Sequence, residues 1–214
     1  MGRPLRIKAP NLTYHITSRT NGRRILLNEE KDREALCKIL RRILDKYGVI
    51  LHSLNCLGNH FHMMIHIKGK TDLSQVICEF KTAYAKYYNQ RHNCSGHFWG
   101  DRFRSTIVED DKHALACLRY IDRNPVKAGL TDQPQNWPFS SFHIYASGQP
   151  HPILRIIPHA AYLGLSCHEE TRRSMYVHFV LGNDPESDAL HGCLPRLQFY
   201  GSDCFIRDVK NRIG

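Results

Sequence analysis

The order of segments in this 214-residue chain predicts an α+β fold of the ferredoxin-like β-α-β-β-α-β kind, an antiparallel four-stranded sheet with two helices on one face. Three observations carry that prediction. Leu12–Arg19 alternates apolar and polar residues, a long segment with helical spacing ends at Gly48, and two further strand-like runs are divided only by Gly58-Asn59.

In the first strand, LTYHITSR, alternation puts Leu12, Tyr14 and Ile16 on one face. Asn28 stands where a helix N-cap is expected. Glu29, Glu30 and Asp32 follow in a first turn whose partial positive charge favours acids. Leu36, Ile39, Leu40, Ile43, Leu44 and Tyr47 recur at helical spacing, and Gly48 supplies the stop. Residues 49–57 and His60–Ile67 read as the second and third strands, joined by a tight hairpin. A second helix is predicted over 72–89, with Leu73, Val76, Ile77, Phe80, Ala83, Tyr84 and Tyr87 inward; 90–102 reads as a loop. A fourth strand at 103–109 and a third helix at 113–124 follow, the helix ended by Pro125 and Gly129. This added helix is expected on the sheet face that the first two leave open. Residues 131–150, with three prolines and the run WPFSSF, read as a wrapping segment. Ser166 and Glu169 read as a capping box opening a helix that stops at Gly182. The expected division is one domain at 1–130, then a wrapping segment and small helical C-terminal extension at 131–214.

The formal charge is +10 and is unevenly spread. Residues 1–130 hold 23 Lys and Arg against 12 Asp and Glu, whereas 131–214 hold 7 against 8. An excess confined to one segment favours a nucleic-acid partner over a plain solubility charge. The eight cysteines are scattered without a C-x-x-C pair, which argues against a cysteine zinc site. The first residues lack the apolar stretch of a secretion signal, and no apolar run reaches the roughly 18 residues that span a bilayer. A cytoplasmic protein with free thiols and no membrane association is therefore expected.

Chemistry concentrates in two places. In GNHFHMMI, His60 and His62 project from the same strand face, where two imidazoles can share one divalent cation and leave positions open for substrate oxygens. Phe61 points to the core, and Met64 and His66 continue the histidine face. The competing reading is a polar strand face meeting solvent. In RYIDRNP, Tyr120 and Asn124 lie one above the other on a helix. The apolar stripe through Leu115, Leu118 and Ile121 runs about 100° round the wheel, so Tyr120 should flank the core rather than fill it. A phenol beside a metal-bound phosphate can act as a nucleophile, and the Asn124 amide oxygen can join the metal shell. An edge-of-core tyrosine and a helix-end asparagine are the alternatives. Tyr84, Tyr87 and Tyr88 suit core packing better. Arg19, Arg23, Arg24, Lys81, Arg102, Arg104 and Lys127 flank these motifs as candidate nucleic-acid contacts, with an ordinary solvated surface charge the equal alternative for each alone, and Phe98 and Trp99 are candidate stacking platforms. A purely nucleic-acid-binding module on the same sheet would want stacking aromatics on its third strand, which here reads HFHMMIHI.

RPLRI, YHITSRTNGRR, GNHFHMMI, GHFWGDRFRS, LRYIDRNPVKAGL and WPFSSF follow one another in an order that resembles the REP-associated tyrosine transposases, a branch of the single-tyrosine HUH (IS200-like) transposases. The likeness is strong from about residue 3 to 143 and faint beyond, in FVLG and GSDCF. Only the turn before the histidine pair, Leu57-Gly58-Asn59, departs from the family pattern. The resemblance implies that His60 and His62 bind Mg²⁺ or Mn²⁺, that Asn124 completes the metal shell, and that Tyr120 is the nucleophile. It further implies a hairpin-bearing single-stranded DNA substrate, cut and rejoined through a 5′-phosphotyrosine by a monomer or homodimer. No residue is singled out for deprotonating Tyr120: His66 shares the histidine face, but a solvent-facing strand histidine is the favoured reading for it. A retired transposase that binds DNA without cutting it is the alternative, against which the intact His60, His62, Tyr120 and Asn124 speak.

Overall fold

Alternation and helical spacing place the main elements where the sequence puts them. A computed structural model describes residues 7, 9–183, 185–190 and 193–213. Strand β1 (Leu12–Arg19) leads to helix α1 (Glu30–Tyr47), the hairpin β2 (Ile50–Cys56) and β3 (His60–Ile67), helix α2 (Leu73–Arg91), β4 (Arg104–Val108) and helix α3 (Lys112–Lys127). Short helices α4 (Phe142–Ser147) and α5 (Ala160–Leu163) precede α6 (Glu169–Leu181) and α7 (Pro185–Ala189); strand β5 (Phe199–Tyr200) and helix α8 (Asp203–Ile213) close the chain. The strand order is β2-β3-β1-β4-β5, antiparallel among the first four, with β5 parallel to β4. The predicted split pattern is therefore present, and the two-residue β5 is an addition that the sequence does not advertise.

Two cores lie on the two sheet faces. Leu12, Tyr14, Ile16, Phe61, Met63 and Ile65 pack against α1 and α2. On the other face Met64 and Val108 pack with α3, α4 and α6. Leu57 N–H donates to His60 O at 2.9 Å and closes the hairpin around Gly58-Asn59. Gly58 lies under the exposed Ile25 side chain, whose Cγ2 would be 3.0 Å from an added Cβ.

Three boundary expectations are corrected. Asn28 does not cap α1: Glu29 takes the N-cap without a side-chain cap, and its carboxylate pairs instead with Arg91 at 2.7 Å. Buried Asp32 meets Arg91 and His92 at 2.8 and 2.9 Å, so the start of α1 is tied to the end of α2. Ser166 does not open a capping box, since His168 is the N-cap of α6 and Glu169 turns to Arg173.

The third correction concerns Pro125, which does not end α3; the helix runs on to Lys127 and Gly129 turns the chain at φ +67°. Proline has no N–H to give the carbonyl four residues back. Here that carbonyl, Ile121 O, accepts from Asn55 Nδ2 on β2 at 2.9 Å. Replacing Asn55 with Leu would leave a buried carbonyl without a partner. An expected loss of about 2 kcal/mol, read as a lowered urea midpoint at unchanged slope, checks this role.

Both sheet edges are covered by later chain. Along β2, Cys56 N–H donates to Phe139 O at 3.0 Å, Ser141 N–H to Leu54 O at 2.8 Å and Ile157 N–H to Leu51 O at 2.9 Å. WPFSSF therefore runs along the outer edge of β2. Along β4, Ile107 N–H donates to Gln198 O and Glu109 N–H to Tyr200 O, both at 3.0 Å.

Helix α3 joins sheet to extension. Arg119 is 1% exposed, and its guanidinium donates to Phe179 O (2.9 Å), Gly182 O (2.7 Å) and Asp188 Oδ1 (3.2 Å). Arg123 donates to Val180 O and Gly182 O, so two arginines satisfy the open carbonyls at the end of α6. Asp122 is buried against Tyr176 Oη at 2.6 Å and Ser140 Oγ at 3.3 Å, and burial pushes its carboxyl up to about 7. An unfolded carboxyl titrates near 4. Between those values the folded chain holds a proton that the unfolded chain lacks, so this group's contribution improves as pH falls from above 7 toward 4. Asp122→Asn carries no charge at any pH. It should be more stable than the parent at pH 8, on the order of 2 kcal/mol, with the advantage gone near pH 4 in paired denaturation curves.

Candidate active site

The histidine motif and the tyrosine motif meet on the α3 side of the sheet. Register pairs His62 with Thr17 and His60 with Arg19, and the imidazoles of His60 and His62 stand with centroids 5.0 Å apart. The Tyr120 ring packs edge-on to His62 at 5.4 Å and to His15 of β1 at 5.5 Å. His62, Tyr120 and Asn124 line a cleft of about 520 Å³ walled by Thr17 to Arg23 and by Gly100, Asp101, Arg102 and Arg104.

The loop after α2 forms that wall through a close approach. Gly100 N–H donates to Arg19 O at 3.1 Å, and a Cβ on Gly100 would lie 3.1 Å from Thr20 O. Opposite, Gly22 and Arg23 both adopt left-handed φ, +62° and +58°, a costly conformation for arginine that Asn59 Nδ2 supports by donating to Arg23 O at 3.0 Å. The same amide fixes His60. With its Nδ2 committed to Arg23, Asn59 presents Oδ1, which accepts the Nδ1–H of His60 at 2.6 Å. The lone pair of His60 therefore sits on Nε2.

Burial and the nearby Arg19 push His60 down to about 4, so it is neutral and ligand-competent at ordinary pH. His15, fully buried, is pushed down to about 3 and bridges its Nε2 to His62 Nδ1 at 2.9 Å. Tyr120 is 6% exposed, and burial raises its phenol above the ordinary value against the opposing pull of Asn124 and Arg19. The phenol needs help to ionise. Asn124 Nδ2 donates to Tyr120 O at 2.7 Å, which holds the amide in the cleft.

Two imidazoles and an amide are a donor set for a divalent cation that also binds oxygen. Among the described residues, clusters of three acidic or histidine ligand atoms lie elsewhere, at Glu29–Asp32–His92 and Glu109–Asp111–His113. Both are engaged structurally. Arg91 neutralises the first, while in the second Glu109 accepts from Ser202 and Asp111 caps α3.

The structure distributes the expected site residues unevenly. Arg19, Arg23, Arg102 and Arg104 line the cleft; Arg24, Lys81 and Lys127 do not. Arg24 hydrogen-bonds to Asn21 O, Lys81 donates to Asp101 O behind the loop, and Lys127 lies 4.0 Å from Asp188. Phe98 is 2% exposed in the first core, which leaves no face for a base, while Trp99 is half-buried with its Nε1–H on Lys81 O. Tyr84 is core, as expected, with Tyr87 and Tyr88 packed against it. His66 stands at the far end of β3, bonded to Thr13, away from Tyr120. Tyr120 is deeper than its helical position implies, because the extension folds over α3 and turns a flanking position into a lining one. Sequence reasoning missed Arg196. It enters the cleft on a 3-10 turn, Leu194–Arg196, whose Leu194 carbonyl accepts from buried Thr106 Oγ1 at 2.7 Å.

The family model described as "Transposase IS200 like" matches residues 8–124, more than half the chain, and the chain belongs to that family. Its relatives include REP-associated tyrosine transposases. One from Escherichia coli is 30% identical over 99 residues, covering 45% of this chain and 56% of the relative. A Haemophilus influenzae protein assigned to the same group is 29% identical over 107 residues, covering 45% and 60%. The chain thus spans somewhat over half the length of these relatives. A solved structure of a REP-associated tyrosine transposase bound to a REP hairpin shares the fold, with a TM-score of 0.60 at 24% identity over 75% of this chain and 96% of that one. Among the described residues no helix is long and apolar enough to cross a membrane.

Proposed function

We propose that the chain is a metal-dependent single-strand DNA endonuclease and strand transferase acting on hairpin DNA, with the domain at 1–130 carrying the chemistry and 131–214 as its extension. The observation that carries this reading is the packing of Tyr120 against His62 inside an arginine-lined cleft. His60, His62 and Asn124 hold Mg²⁺ or Mn²⁺, which when bound draws charge from the scissile phosphate and lowers the barrier to attack. Arg19, Arg23, Arg102, Arg104 and Arg196 bind the DNA backbone. Tyr120 Oη attacks phosphorus, the 3′-oxygen leaves with a proton, and the strand end is held as a 5′-phosphotyrosine. A second 3′-hydroxyl can reverse the step and join strands. Buried His15 and His62 exclude water from one side of the phenol.

The test is incubation of labelled hairpin oligonucleotide with Mn²⁺, scored for a denaturant-resistant protein–DNA adduct. An EDTA-sensitive adduct is expected; hairpin binding with no adduct under any divalent ion overturns the enzyme reading in favour of DNA binding alone. For the cleft wall, Arg196→Ala should weaken hairpin binding and reduce the salt dependence of log K by about 1, measured by fluorescence anisotropy across a salt series.

A further inference from the structure

We propose that His15 is a positioning residue for the metal site: it accepts the Nδ1–H of His62 through its Nε2, and so reserves the His62 Nε2 lone pair as a ligand. This rests on the metal reading above and extends it to a residue that touches neither ion nor DNA.

The two histidines of the motif are held in different ways. His60 is bonded to an amide oxygen, which can only accept, so its proton is placed on Nδ1 by its partner. His62 is bonded to a second imidazole, which can donate or accept. If His15 donates, the proton of neutral His62 sits on Nε2 and that nitrogen cannot ligate. If His15 accepts, Nε2 is available, as it is in His60. Only the second arrangement makes the pair equivalent toward one ion. The ring planes of His15 and His62 lie within 11° of each other with centroids 5.1 Å apart, close to the full reach of two rings set end to end across a 2.9 Å N···N contact, so the bond runs near the plane of both rings and fixes the angle at which His62 meets the cleft. Partners of this kind set the tautomer and orientation of metal-binding histidines.

His15 is also a poor choice for stability. It is 1% exposed, and its Nδ1 is buried with no hydrogen-bond partner among the described residues. A polar atom buried in this way destabilises the fold relative to an apolar side chain of similar size. Cys117 and Met64, nearby in the second core, are apolar. A leucine at position 15 would satisfy that core better, so the imidazole is explained by what it does for His62.

His15→Leu removes the partnerless Nδ1 but leaves the buried His62 Nδ1–H without its acceptor, so its unfolding temperature should stay close to the parent's, while it binds Mn²⁺ at least about tenfold more weakly in calorimetry. His15→Gln, which retains an acceptor, should recover most of that loss. In the parent saturated with Mg²⁺, ring ¹⁵N–¹H correlation spectra should show His62 protonated at Nδ1. The inference is overturned if His15→Leu binds Mn²⁺ within twofold of the parent, or if His62 is protonated at Nε2. The spectrum of the parent decides the matter even if the leucine variant does not fold. Equal Mn²⁺ binding by the parent and His62→Ala is a different failure: it removes the metal reading itself, and this inference with it.

Discussion

Replacing Tyr120 with Phe is expected to cut covalent adduct formation with hairpin DNA by at least about a thousandfold while leaving hairpin affinity within about twofold. The change removes one oxygen and keeps the ring that packs against His15 and His62 at 5.5 and 5.4 Å. Stability should shift by no more than about 1 kcal/mol, so loss of the adduct cannot be assigned to unfolding. His62→Ala should lose the adduct to a similar degree, and higher Mn²⁺ should restore it in part. Adduct formation by Tyr120→Phe at the parent rate would sink the assignment. Tyr84 could not then take its place on geometric grounds, because it is sealed in the opposite core with Tyr87 and Tyr88 beside it.

Arg119→Ala should be the most damaging change outside the cleft, costing about 3 kcal/mol or more in urea unfolding. Its guanidinium serves two backbone carbonyls and Asp188 from a site that is 1% exposed. Truncation leaves Phe179 O without this donor, leaves Gly182 O to Arg123 alone, and opens a cavity under α3. Arg119→Lys should recover little, because an ammonium cannot reproduce three donors in one plane. Lys127→Ala, which loses only a 4.0 Å approach to Asp188 at the surface, should stay within about 0.5 kcal/mol. If Arg119→Ala is as mild as Lys127→Ala, the extension does not depend on this clamp.

These two residues mark where sequence reasoning succeeds and where it stops. Strand β3 is legible because the alternation in HFHMMIHI is local, and its odd and even residues do enter different cores. The approach of Tyr120 to the histidine pair follows from the family motif together with the added helix. Arg119 and Arg123 read as part of a basic segment, yet they cap a helix that begins far downstream; no local pattern announces that contact. Pro125 looked like a helix stop because proline lacks an N–H, and the compensation comes from Asn55 on another element. Arg196 falls in the nearly neutral segment after residue 130, and the pairing of β5 with β4 together with the Thr106 bonds to its turn carries it back to the cleft. Phe98 shows the reverse error, an aromatic in a loop that packs inward against Tyr84 and Tyr88.

The covered sheet edges have a consequence for synthesis. As the chain leaves the ribosome, β1 to β4 emerge before the segments that pair with β2 and β4. For that interval the sheet offers two rows of unpaired amides and carbonyls, together with the bare apolar side of α3. Such edges template pairing between neighbouring chains. A nascent chain stalled before residue 137 should therefore recruit holdase chaperones or aggregate, and release past residue 200 should end that vulnerability. The segments after residue 130 thus close, once made, both edges of the sheet that is synthesised before them.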